Sequence, residues 1–181
     1  MDGIPLSSAV DTWCLLAPVL TVDELVIAGD GLVCREHPLA TMEIIQDAVT
    51  YHARHRGVRS LAAAASLVRP NTDSPTETRL RLAIVRAGLP EPVVNARIET
   101  AAGEFIAFGD LVYRQFRLVL EYDGEYHFDS PDQHRHDIDR LERIMAEDWR
   151  VVRIHREHLR NGARPAVHLV RRALLAQGWR A

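Results

Sequence analysis

The chain contains no lysine: all 22 of its basic residues are arginine. Any mechanism that depends on a catalytic lysine is therefore excluded. Cysteine is scarce as well, and Cys14 and Cys34 stand outside any metal-ligand spacing. They are expected to be reduced thiols of a cytoplasmic protein rather than a disulfide framework. No apolar run is long enough to span a membrane, so no membrane partner is expected. The N-terminal stretch lacks a basic leader and is interrupted by Asp11 and Pro18, which argues against a signal peptide. A net charge of −3 argues against a protein coated with nucleic acid.

What is present suits one domain with a small extension: 181 residues, 47% apolar and 26% charged. The charge is unevenly placed. Residues 133–181 carry 11 arginines against 6 acids, while residues 76–132 carry 10 acids against 6 arginines. An acidic centre followed by an arginine-rich flank fits a metal site beside a phosphate-binding surface. A solvated, salt-bridged helix face gives the same pattern.

Residues 1–72 read as a small helical region. Ser7 or Ser8 caps a first helix, and Thr21 caps a second that Gly29 ends. A third helix spans about 40–56 and is closed by Gly57, and a fourth covers about 61–68. The segment Pro70-Asn71-Thr72-Asp73-Ser74-Pro75 is a loop signal, and a second domain follows over residues 73–181. Its pattern predicts a helix over 76–87, strands over 93–100, 104–113 and 116–123, a helix over 134–147, a strand over 149–155 and a helix over 166–177. The longer helix is expected to turn Ile138, Leu141, Ile144 and Met145 inward. The order α-β-β-β-α-β-α implies an α/β fold with a mixed sheet flanked by helices.

The third strand, FRLVLEYD, places Glu121 and Asp123 on one face and Leu118, Leu120 and Tyr122 on the other. Two carboxylates side by side repel unless something positive lies between them. The preceding strand adds Asp110 behind Gly109. A two-residue turn at Arg114-Gln115 would set Asp110 opposite Val119, with Glu121 its diagonal neighbour at roughly 7–8 Å. That placement depends on register. Three convergent carboxylates suit Mg²⁺ or Mn²⁺, which prefer hard oxygen ligands, activate water and orient phosphate. Exposed acids at a strand end are the bland alternative.

Asp110, the EYDGEYH segment and its neighbours together resemble the PD-(D/E)XK nuclease superfamily. The likeness is closer to bacterial domain-of-unknown-function proteins related to the very-short-patch-repair endonuclease (Vsr-like). It extends over about residues 74–157. It takes in the Ser74-Pro75-Thr76-Glu77 helix start, the Ala87-Gly88-Leu89-Pro90 helix end, Asp137 and Arg140 on a helix, and the Trp149-Arg150-Val151-Val152-Arg153 strand. The resemblance implies a restriction-endonuclease-like fold, Mg²⁺ at Asp110 and Glu121, and DNA as substrate. Residues before 70 resemble the connecting segment of longer relatives in which a DNA-binding antitoxin-like module lies upstream. Two departures stand out. The superfamily's lysine is replaced by Asp123, so His127, Arg140 or a second metal held by Asp123 must serve instead, or activity is lost. The usual proline before the first aspartate is Gly109.

Around this centre, Glu77 fits both the family's metal-completing glutamate and an ordinary capping box on Ser74. His127 is a candidate general base or phosphate contact. Arg140 is a candidate phosphate contact or brace, although an ion pair with Asp137 is the default for that spacing. Arg150, Arg153 and Arg156 are candidates to track a DNA backbone, or else to cover apolar neighbours. The leading expectation is a Mg²⁺-dependent endonuclease or nickase hydrolysing DNA phosphodiester bonds, with Asp110, Glu121, Asp123 and His127 catalytic and Glu77 supporting the metal. A homodimer would let such an enzyme cut both strands. The rivals are a catalytically inactive nuclease-fold DNA-binding module of a regulator or toxin–antitoxin system, and a protein-interaction domain.

Overall fold

A computed structural model describes residues 6–100, 102–123 and 131–180, with the main chain alone described over 131–137. The chain divides into two compact units, Met1–Arg79 and Leu80–Ala181.

The first unit is helical: α1 (Ala9–Leu15), α2 (Val22–Leu32), α3 (Met42–Tyr51) and α4 (Val58–Leu67). Ser8, Thr21 and Thr41 cap the first three through their side-chain oxygens, satisfying amides that a helix start leaves without partners. Trp13, Leu25, Val26, Ile45, Leu61 and Val68 form its interior, and the Trp13 indole N–H donates to the Leu25 carbonyl at 2.8 Å. Gly29 does not end α2, which continues to Leu32. A Cβ at Gly29 would run into Val68 Cγ2 and lie 3.4 Å from the Trp13 ring, so the glycine is there for close packing, not for a turn. Likewise α3 stops at Tyr51, and Gly57, at φ +86, starts α4 rather than closing α3. Asp30 is fully buried and accepts from the Arg69 amide (2.8 Å) and the Thr78 hydroxyl (2.8 Å), which fixes the chain leaving α4.

Helix α5 (Pro75–Arg86) carries the division between the units along its length. The second unit then holds β1 (Val93–Glu99), β2 (Phe105–Tyr113), β3 (Leu118–Asp123), α6 (Pro131–Ala146), β4 (Arg150–His155) and α7 (Arg160–Ala176), the expected order of elements. The four strands form one mixed sheet in the order β1-β2-β3-β4, antiparallel except for the parallel β3–β4 pair that α6 connects. One face packs Leu111, Leu118, Leu120 and Ile154 with Leu80 and Ile84 of α5 and Ala166, Val170 and Leu174 of α7. The other face packs Val112 and Val119 with Ile144 of α6 and Trp149. Of the four α6 residues expected to point inward, Ile144 is fully buried, whereas Ile138 and Met145 are 44% and 51% exposed. Helix α7 departs from helical geometry at Asn161, Gly162 and Ala163, so its regular part begins close to the start expected at 166. Among the described residues, no helix is long and apolar enough to cross a membrane.

Candidate functional site

The β2–β3 connection is longer than a two-residue turn. Arg114–Phe116 forms a 3-10 turn and Arg117 takes the left-handed conformation at φ +44, so β3 starts at Leu118. The register is therefore Tyr113↔Leu118, Val112↔Val119 and Leu111↔Leu120. Val119 stands opposite Val112, not Asp110, which corrects the expected pairing by two residues. A shift of two preserves the face that each β3 side chain uses, so Leu118 and Leu120 still point away from Val119. Beyond Leu111↔Leu120 the link between the strands is made by a side chain: Asp110 Oδ2 accepts the Tyr122 amide at 2.8 Å. Gly109 permits this. A Cβ there would overlap Val119 Cγ2 and come within 3.0 Å of Ile98 Cδ1 and Val112 Cγ2.

Glu121 is 7% exposed. A carboxylate that deep needs a charged partner, and α6 supplies it. Arg140 Nη1 donates to Oε1 at 3.2 Å and Nη2 to Oε2 at 3.0 Å, a two-pronged pair. The same Nη1 also donates to the Phe108 carbonyl at 3.1 Å, which ties α6 to β2 and β3 together. Arg140 is thus joined to Glu121 across the fold; the local ion pair expected with Asp137 involves a side chain that lies outside the described residues.

Asp123 ends β3 and meets two side chains of β4. Arg153 Nη2 lies 3.3 Å and His155 Nδ1 3.5 Å from its Oδ2. The parallel register sets Glu121 beside Arg153 and Asp123 beside His155. These polar positions therefore collect at the carboxyl ends of the two parallel strands, the usual place for ligand sites in open α/β sheets. Arg153 is engaged with a carboxylate, and Arg156 sits in a 3-10 turn (Arg156–Leu159) after β4. His127 lies outside the described residues. His155 was not singled out in the sequence, although Arg153 and His155 alternate with buried Ile154 at the end of an apolar strand.

Glu77 belongs to the first unit, where it caps α5. Its Oε1 accepts the Ser74 hydroxyl at 2.9 Å, its Oε2 accepts the Asp73 amide at 3.1 Å, and Ser74 Oγ accepts the Glu77 amide at 3.2 Å. Both carboxylate oxygens therefore serve the reciprocal cap.

Asp110 and Glu121 are hard oxygen donors, and Mg²⁺ is commonly held by one or two carboxylates with water and substrate oxygens completing its shell. Among the described residues, no three His, Cys, Asp or Glu side chains gather closely enough to hold an ion. The three carboxylates are instead distributed, with Asp110 on Tyr122, Glu121 on Arg140, and Asp123 on Arg153 and His155. An ion held by Asp110 and Glu121 would require Arg140 to yield at least one Glu121 oxygen.

No protein-family model matches the chain, and no curated protein matches it.

Proposed function

We propose that the second unit is a metal-dependent phosphodiesterase acting on DNA, as an endonuclease or nickase with a restriction-endonuclease-like topology. The observation that carries this reading is the arrangement at the carboxyl ends of β3 and β4. A buried glutamate, a second carboxylate from the neighbouring strand, and an arginine that spans both strands stand beside the Asp123–Arg153–His155 group. The resemblance to PD-(D/E)XK nucleases adds support through Asp110 and the EYD segment.

Asp110 and Glu121 would hold Mg²⁺ or Mn²⁺, which when bound supplies an activated water and neutralises phosphate charge. Arg140, on leaving part of Glu121, would meet a phosphate oxygen without a change of charge. Asp123 orients the His155 ring, and His155 is placed to accept the proton of an attacking water in a chain that has no lysine for that task. Cleavage of both strands would call on two copies of the chain. The free thiols Cys14 and Cys34 accord with a reduced, cytoplasmic setting.

A second reading has its own observation. Arg140 occupies both oxygens of Glu121, which is how a nuclease fold that binds DNA without cutting it would neutralise an idle acid. Plasmid nicking separates the two. Wild-type protein with Mg²⁺ or Mn²⁺ should nick, EDTA should stop it, and D110N and E121Q should be inactive. A retarded but uncut plasmid under every metal would establish the binding module instead.

A further inference from the structure

Helix α7 has no acidic residue along its length, and its arginines are Arg160, Arg164, Arg171 and Arg172. The sequence of α6, the other long helix of this unit, mixes Asp132, Asp137, Asp139 and Glu142 with three arginines. Arg160, Arg164, His168 and Arg172 are all exposed. Within the regular part of α7, Arg164, His168 and Arg172 recur every four residues and so share one side of the helix. The apolar side, with Ala166, Val170, Ala173 and Leu174, is buried against the sheet. Among the described residues, no carboxylate is paired with Arg160, Arg164 or Arg172, although Arg81, Arg97, Arg140 and Arg153 of the same unit each meet one. Two local rules run against this arrangement. A surface helix gains from acids placed three or four residues from its bases, and α7 has none. Cations suit the last turn of a helix, and none of these falls there. Departures of this kind mark functional or strained surfaces.

We propose that the outer face of α7, carrying Arg160, Arg164 and Arg172, is a docking surface for the phosphate backbone of duplex DNA. The proposal rests on the nucleic-acid reading given above, but not on the carboxylates. Helix α7 covers the sheet face opposite α6, and its arginines lead away from the turn that follows His155. From Arg164 to Arg172 the stripe extends about 12 Å, the axial reach of three or four phosphates on one strand. Guanidinium groups meet phosphate oxygens two at a time. An anionic membrane fits less well. An amphipathic helix enters a bilayer by its apolar side, and that side of α7 is already packed on the sheet. Contacts to phosphate hold a duplex without reading its bases, so the surface binds DNA of any sequence.

The test measures binding of the full chain, in EDTA, to two labelled duplexes of unrelated sequence and to phosphatidylserine vesicles. Salt is varied between about 50 and 200 mM, over which phosphate contacts reveal themselves by counterion release. R164Q/R172Q removes two charges at exposed positions with a residue of good helix propensity, and should melt no lower than the wild type. Each lost phosphate contact takes about 0.9 from the slope of log affinity against log salt. The double variant should therefore be shallower by about 1.8, losing roughly 12-fold less affinity than the wild type across that range. R164K/R172K keeps both charges and should keep the wild-type slope, and the two duplexes should respond alike. A wild-type slope in R164Q/R172Q would overturn the α7 surface, and plasmid nicking by that variant, abolished by adding D110N, would show that the nuclease reading survives. A loss confined to one duplex would also overturn it, since that marks base recognition. Lost vesicle binding with an unchanged DNA slope would overturn it in favour of a membrane contact. Failure of the wild type to bind either duplex would overturn the surface together with the reading beneath it.

Discussion

Arg140 grips Glu121 with both terminal nitrogens, at 3.2 and 3.0 Å, so one guanidinium of α6 closes over the one deeply buried acid described in β3. The pair holds the helix to the sheet and sets the condition for metal binding, since a cation at Glu121 competes with Arg140 for the same oxygens.

Removing either partner should therefore reveal their coupling. Arg140 is about one-third exposed, which reduces the cost below that of a fully buried pair. R140Q should lower stability by about 1–3 kcal/mol, because it leaves Glu121 without its charged partner. E121Q/R140Q should recover part of that loss. Urea unfolding of the two singles and the double gives the interaction energy, and strictly additive losses would show that the contact is energetically idle.

The Asp110–Tyr122 link separates structure from chemistry. D110A removes the acceptor of the Tyr122 amide and should cost about 0.5–1.5 kcal/mol. D110N retains an acceptor oxygen and should stay near wild type in thermal unfolding. Both should abolish metal-dependent nicking. A D110N protein that folds and nicks at the wild-type rate would remove Asp110 from the site.

Gly109 is a packing position, and its substitution should be felt at once. A Cβ there meets branched side chains of β1, β2 and β3, which cannot retreat together. G109A should destabilise by about 1–3 kcal/mol, as overpacking in a core does. Pairing it with V119A, which removes the overlapped methyl, should give a smaller loss than the sum of the two singles in denaturant titrations.

Alkaline pH should weaken the fold through two buried acids. Burial, with Asp11 adding to it, pushes the Cys14 thiol up to about 11. Burial, with Glu91 adding to it, raises the Tyr113 hydroxyl above its ordinary value, and that hydroxyl donates to the Pro90 carbonyl at 3.0 Å. Both groups hold their protons more tightly folded than unfolded. The stability this gives is complete below the unfolded values and falls as pH rises from about 9 upward. Denaturation free energy should decline over that range, less steeply in C14A and in Y113F. At neutral pH a thiol reagent should modify the partly exposed Cys34 rapidly and the buried Cys14 slowly.

Much of this protein was legible in the order of its residues. Alternating apolar positions gave the strands, Ser8, Thr21 and Ser74 announced helix starts, and FRLVLEYD separated its two faces, because these depend on neighbours in sequence. The glycines misled at Gly29 and Gly57, because a glycine that relieves crowding looks the same in sequence as one that ends a helix.

The sequence by itself determined the element order, the absence of any lysine chemistry, and which acids share β3. Tertiary structure alone decided their partners. The register of β2 on β3 follows from a four-residue connection whose left-handed Arg117 no local rule required. The parallel seat of β4 brings His155 to Asp123 across 31 intervening positions of chain. Arg140 of the packed helix reaches Glu121 across the fold, because an acid withdrawn from water must be met by a charge.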